Sequence, residues 1–149
     1  MKPRIRKATP SDLPLLVEID SRCFTPDVAF DAAELNWCLS DPGSMTFIAQ
    51  DGSTVAGFAI VSAGERQGTG NLVTLDVLAP WRRAGLGSAL LAASGQWLHD
   101  RGIGQMDLQV DVSNEPALAF YLRHGFRKRR KLPAYYGPGK DAYLMSKQL

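Results

Sequence analysis

Two arginines and two glycines fall within six consecutive residues, Arg82-Arg83-Ala84-Gly85-Leu86-Gly87. The segment Leu72-Val73-Thr74-Leu75-Asp76-Val77-Leu78 precedes them and reads as a strand. Leu86, Leu90 and Leu91 follow at helical spacing. A strand that turns through such a loop into an amphipathic helix builds an anion site. Glycine lets the backbone approach closely, the first helical N–H groups point outward, and the helix dipole favours negative charge. Arginine adds a charge-assisted contact. A dinucleotide fold would want a third small residue where Leu90 stands, and a triphosphatase loop would want Gly-Lys-Ser or Gly-Lys-Thr, which is absent. A tight turn without a ligand is the remaining alternative.

The elements that must hold this loop can be read along the 149 residues. Arg4 to Lys7 is a short strand. Thr9-Pro10-Ser11-Asp12 carries the signals of a helix start, with Leu13, Leu16, Ile19 and Cys23 recurring behind it. A second helix is expected from Asp31 to Leu39. Met45 to Gln50 and Thr54 to Ser62 form a hairpin about Asp51-Gly52. Gly64 to Asn71 reads as a polar, glycine-rich loop. Leu72 to Val77 is a strand, and Leu86 to Leu98 is a helix with Gly102 as its C-terminal cap. From Met106 to Val112 the pattern alternates, setting Asp107, Gln109 and Asp111 opposite Met106, Leu108 and Val110. Asn114 caps a helix ending near His124-Gly125. Arg127 to Leu132 and Ala142 to Gln148 close the sheet. The fold class is α/β (α+β), with a mixed, mainly antiparallel sheet, in a single domain over residues 1–149.

Composition narrows the function. Hydrophobic residues make up 45% and charged residues 21%, enough for a packed core. No apolar run approaches the roughly 20 residues of a membrane helix, and the basic start Met1 to Lys7 lacks the apolar stretch of a secretory signal, so a cytoplasmic protein is expected. Net charge is +2, which does not suggest nucleic acid; the run Arg127-Lys128-Arg129-Arg130-Lys131 is expected to be a solvated strand. Cys23 and Cys38 are expected to be reduced thiols, and His99 and His124 to answer helix dipoles, so no metal site is expected.

The loop resembles the acetyl-CoA signature of the GNAT superfamily, in which arginine or glutamine is followed three and five residues later by glycine, as Arg82 is by Gly85 and Gly87. A second stretch, Asn114-Glu115-Pro116-Ala117-Leu118-Ala119-Phe120-Tyr121-Leu122-Arg123-His124-Gly125-Phe126, is similar to that family's late motif. The two lie within residues 72–126, about a third of the chain. The resemblance implies a GNAT fold: six to seven strands flanked by about four helices. It implies acetyl-CoA as co-substrate, its pyrophosphate held by backbone N–H groups of Arg83, Ala84, Gly85, Leu86, Gly87 and Ser88, with Arg82 alongside. A free N–H between Val77, Leu78 and Ala79 would meet the thioester oxygen. Asn114 and Tyr121 would complete the cofactor site, with Tyr121 as general acid toward the sulfur.

Within the family the chain is most similar to the ribosomal-protein N-terminal acetyltransferases. These read Leu-Glu-Val-Arg, their glutamate acting as base, where this chain has Leu108-Gln109-Val110-Asp111. An amide cannot take that proton usefully. Asp111, Asp76 or a water chain are the substitutes, and water would serve an α-amine, with a pKa near 8, better than a lysine. Tyr135 and Tyr136 would line the acceptor groove, with Phe24 to Phe30 as the opposite wall. The implied activity is amine N-acetylation, with a protein or peptide N-terminus as acceptor and a monomer or homodimer as the active species. A small-molecule amine acetyltransferase and a non-catalytic acyl-CoA-binding module are the alternatives.

Overall fold

The computed structural model describes residues 3–64, 66–82 and 84–149. Its elements are β1 (Arg4–Lys7), α1 (Leu13–Cys23), α2 (Ala32–Ser40), β2 (Ser44–Asp51), β3 (Thr54–Ser62), β4 (Thr69–Val77), α3 (Leu86–His99), β5 (Gln105–Asp111), α4 (Glu115–Arg123), β6 (Arg127–Leu132) and β7 (Ala142–Gln148). The seven strands form one sheet in the order β1-β2-β3-β4-β5-β7-β6. Every neighbouring pair is antiparallel except β4 and β5, which are joined by the α3 crossover and run parallel.

Local chemistry explains the helix starts. A short 3-10 turn, Pro10–Asp12, leads into α1, and the Asp12 carboxylate accepts the Thr9 N–H at 2.7 Å. The fork of Arg6 clamps the same carboxylate at 2.9 and 3.0 Å, holding its pKa down to about 2. Asp31 and Glu34 form a reciprocal cap for α2, and the Asn114 side chain accepts the Ala117 N–H at 3.3 Å to start α4. Gly85, left-handed at φ 82°, turns the chain into α3.

The sheet separates two apolar layers. Leu16, Ile19 and Leu35 from α1 and α2 pack on one face with Ile48, Phe58 and Ile60. Leu90, Leu91, Leu98 and Leu118 from α3 and α4 pack on the other with Leu72, Met106 and Leu108.

One expectation is corrected. The segment Gly64 to Asn71 is not wholly a loop, because β4 begins at Thr69 and pairs Thr69 and Gly70 with Gln105 and Met106. A Cβ at Gly70 would collide with the Leu98 side chain, so this glycine serves close packing under α3 and not a turn.

Two irregularities in β4 shape the centre of the sheet. Pairing with β3 steps from Ile60↔Thr74 to Val61↔Leu72, so Val73 is an extra, bulged residue. Leu72 and Leu75 therefore both reach the α3 side, while Val73 reaches the α1 side. Pairing with β5 ends at Leu72↔Leu108. Beyond it β5 stays with β7 as far as Asp111↔Ala142 and β4 stays with β3 as far as Val77↔Gly57, so the two central strands part.

Candidate active site

The parted ends of β4 and β5 make a cleft with backbone groups on one side and side chains on the other. Leu78 N–H donates to Ala56 O at 2.9 Å, and Val77 stands opposite Gly57 one residue earlier. The alternation of an antiparallel ladder turns the Val77 N–H and C=O away from β3, into the cleft. The expected free donor is thus Val77; Leu78's N–H is already engaged. The Val77 carbonyl accepts from Arg82 Nε at 2.8 Å. Arg82 therefore folds back onto the end of β4.

At that loop, the N–H groups of Leu86, Gly87 and Ser88 belong to the first turn of α3, where no intrahelical acceptor exists. Ala84 and Gly85 lead into them; Arg83 lies outside the described residues. A Cβ at Gly87 would come within 3.2 Å of the Phe120 ring, so Gly87 also lets α4 approach α3. The Ser88 hydroxyl lies 2.8 Å from His124 Nε2, and His124 Nδ1 lies 2.7 Å from Phe120 O. A carbonyl only accepts, so Nδ1 donates to it. In the neutral ring Nε2 then accepts the Ser88 proton. His124 stacks on Phe120 with centroids 4.2 Å apart, pinning α4 to the start of α3.

On α4, Tyr121 is 8% exposed and packs edge-on against Phe120 and Phe126. Burial pushes its phenol pKa well above 10, and the charge of Asp76 and the phenol of Tyr136 push in the same direction. Tyr121, Asp76 and Tyr136 thus share one electrostatic neighbourhood.

Met106, Leu108 and Val110 belong to the α3 layer, so Gln109 and Asp111 face the α1 side. Gln109 Nε2 donates to Asn71 Oδ1 at 3.2 Å. Asp111 Oδ1 accepts from the Ser113 N–H and hydroxyl at 2.8 and 2.6 Å, fixing the turn into α4. The Tyr136 hydroxyl donates to Gln109 O at 3.4 Å, and its pKa is pushed up to about 12 by burial, then by Tyr135 and Asp111. Tyr135 and Tyr136 meet edge-on, with centroids 4.9 Å apart.

Asp76 differs from Asp111. It is 1% exposed, accepts from Thr74 Oγ1 at 2.5 Å and neighbours Asp20 of α1, which is 0% exposed. Burial first, then Asp20, push its pKa well up, which disfavours the ionised form that would take a proton from a substrate. Cys23, also on α1, donates weakly to Val77 O at 3.6 Å, and burial and Asp76 push its thiol up to about 11.

Phe24 to Phe30 runs from the end of α1 toward α2, and Asp27 in it pairs with Lys140 of the β6–β7 loop at 2.8 Å. The two expected acceptor walls are therefore joined across the cleft. Sequence reasoning missed Asp20, Asn71, Cys23 and this ion pair. Only Asp20 left a signal: with Leu13, Leu16 and Cys23 it falls on the apolar stripe of α1, where an acid has no ordinary reason to be. Among the described residues no cluster of His, Cys, Asp and Glu could hold a metal ion, and no helix is long and apolar enough to cross a membrane.

Residues 13–126 match the family described as Acetyltransferase (GNAT). An N-alpha-acetyltransferase of Saccharolobus solfataricus is 41% identical over 81 residues, 54% of this chain and 48% of that protein. The chain thus spans about half the length of that relative. An uncharacterised N-acetyltransferase of Methanocaldococcus jannaschii is 31% identical over 145 residues, 97% of this chain and 90% of that one. The crystal structure of the ribosomal-protein-S18-alanine N-acetyltransferase from Escherichia coli superimposes with a TM-score of 0.85 at 25% identity, covering 98% of this chain and 93% of that one.

Proposed function

The chain belongs to the GNAT family of acetyltransferases, and from that premise we propose that it transfers an acetyl group from acetyl-CoA to a primary amine, the α-amine of a protein or peptide N-terminus. The observation that carries this reading is the cleft between β4 and β5, open beyond Leu72↔Leu108 and lined by a backbone donor at Val77. Acetyl-CoA supplies a thioester as the electrophile. The first turn of α3, from Leu86 to Ser88, with Ala84 and Gly85 before it, suits the pyrophosphate. The Asn114 side-chain amide and Tyr121 would complete the coenzyme site.

The roles of the side chains follow from their states. Val77 N–H stands ready for an oxygen that gains negative charge during transfer. Tyr121, a phenol held protonated, donates toward the leaving sulfur. Asp111 retains a carboxylate oxygen free of the turn and accepts the amine's proton through water, while Gln109, tied to Asn71, positions without accepting. Such assistance suffices for an α-amine, whose pKa is about 8, and not for a lysine above about 10. Tyr135, Tyr136 and Phe24 form the acceptor walls, and the similarity to N-alpha-acetyltransferases supports a peptide between them. Unpaired Cys23 and Cys38 suit a reducing cytoplasm.

The test is an acceptor panel at fixed acetyl-CoA: peptides with free N-termini, the same peptides N-terminally blocked but carrying lysine, and a polyamine. Turnover confined to free N-termini is expected. Preference for the polyamine or lysine would replace the acceptor assignment, and no turnover with any amine would leave an acyl-CoA-binding module.

A further inference from the structure

We propose that Asp20 is a positioning residue of the acceptor site: it shares one proton with Asp76 and holds the Phe30 amide with its other oxygen, locking the Phe24–Phe30 wall to the parted end of β4. The proposal rests on the reading of that wall as part of the acceptor site.

Four oxygens make the argument. Asp20 Oδ2 accepts the Phe30 N–H at 2.7 Å, and Asp76 Oδ1 accepts the Thr74 hydroxyl at 2.5 Å. The remaining two, Asp20 Oδ1 and Asp76 Oδ2, are buried and have no donor among the described residues. Yet the two carboxyl groups are neighbours, and Asp20 raises the pKa of Asp76. Two carboxylates in a dry interior repel, and each orphan acceptor costs free energy. A single proton between the orphan oxygens removes both penalties and leaves the pair with one negative charge.

Among the described residues the surroundings offer no other donor. From α1 the pair is faced by Cys23, whose thiol is held neutral; from the loop after β4 by Arg82, already bonded to Val77 O; and from α4 by Tyr121, a neutral phenol. None of these donates to the orphan oxygens. The bulge at Val73 aims Asp76 at α1 in the first place. The pair thus links three pieces: helix α1, the strand that carries the Val77 donor, and the segment ending at Phe30. Loss of that shared proton as pH rises would set two carboxylates against each other and loosen the link.

The test compares wild type, Asp20→Asn, Asp20→Ala and Asp76→Asn. The amide introduced by Asp20→Asn retains an acceptor for Phe30 and supplies its own N–H to Asp76, so it keeps the link without the titrating proton. Three measurements decide. The infrared carbonyl band of a buried protonated acid is expected in wild type at neutral pH and should vanish in both Asn variants. Hydrogen exchange at the Phe30 amide should stay slow in Asp20→Asn and become fast in Asp20→Ala. With acetyl-CoA and an alanine-initiated peptide, Asp20→Ala should raise the peptide KM roughly tenfold, with acetyl-CoA affinity within about threefold. Asp20→Asn should restore the KM and remove the rise of KM with pH expected of wild type. The ratio of the two profiles cancels the ionisation of the peptide itself.

Absence of the infrared band in wild type, or a folded Asp20→Ala with slow Phe30 exchange and unchanged peptide KM, overturns the proposal. So does Asp20→Asn behaving like Asp20→Ala. If Asp20→Ala does not fold, the infrared band and the Asp20→Asn profile decide alone. If the peptide is not acetylated at all, the acceptor assignment fails, while the infrared and exchange results still judge the pair.

Discussion

The two ends of the cleft are built on different principles. The coenzyme end is made of backbone and consecutive sequence: β4, the turn at Gly85 and the first turn of α3 lie within one short stretch of chain. The proposed acceptor end is made of side chains brought together from α1, the Phe24–Phe30 segment, β4, β5 and the β6–β7 loop. Backbone chemistry tolerates almost any side chain provided the glycines and the helix start are kept. Side-chain chemistry depends on each partner, so one substitution rewires it. A common donor site is thereby combined with an acceptor site that can change.

Four substitutions, the last followed across pH, sharpen the contrast, taken from the largest effect down. Tyr121→Phe should lower kcat by roughly 10²-fold or more, with acetyl-CoA affinity and the acceptor KM within a few-fold, because the hydroxyl acts in the transition state while the ring still packs on Phe120 and Phe126. Steady-state kinetics beside a binding titration checks this, and near-normal turnover would return Tyr121 to a core role. Since burial lifts its pKa, Tyr121 should impose no loss of kcat on the alkaline side below pH 10.

Gly87→Val should weaken acetyl-CoA at least tenfold, about 1.4 kcal/mol. It meets the Phe120 ring as well as the expected pyrophosphate path, so thermal unfolding must accompany the titration. Unchanged affinity in a folded variant would remove this loop from the coenzyme site. Asp111→Asn should lower the rate several-fold near neutral pH and progressively less toward pH 9, where an α-amine deprotonates itself. A flat ratio across pH would assign the proton to bulk water.

The smallest effect concerns stability. Asp76 has its folded pKa above the unfolded value of 3.8, so its ionisation opposes folding as pH rises from about 4 toward that folded pKa. The stability of Asp76→Asn relative to wild type should therefore grow with pH across that window, read as the difference in Tm. Asp12 runs the other way: its folded pKa of about 2 stabilises the fold above about 4, and that contribution is lost as pH falls through 2.

The same contrast governs what the sequence discloses. The cap at Asn114, the hairpin about Asp51-Gly52 and the helix after Gly85 depend on neighbours a few residues apart, and all are present in the fold. The late motif likewise forms α4, with Tyr121 buried on it against Phe126. The Gly64 to Asn71 segment misleads because its glycine is there for Leu98, a partner far along the chain. Asp76 reads as an available base because nothing near it in sequence announces Asp20 across the sheet face. Gln109 stands 38 residues from the Asn71 that holds it, and Asp27 finds Lys140 only when two loops meet. Periodicity reports which face a residue occupies; it does not report what another element brings to that face.

The central claim is that coenzyme and peptide meet in one cleft, and a bisubstrate conjugate tests it most directly. Coenzyme A joined through an acetyl bridge to the α-amine of an alanine-initiated peptide should bind at least tenfold more tightly than coenzyme A alone, because the second set of contacts becomes intramolecular. That advantage should survive in Asp111→Asn, which keeps the walls, and shrink in Asp20→Ala, which releases one of them. Equal affinity of the conjugate and coenzyme A for the wild-type protein would contradict the account, since the Phe24–Phe30 segment and the two tyrosines would then hold no peptide.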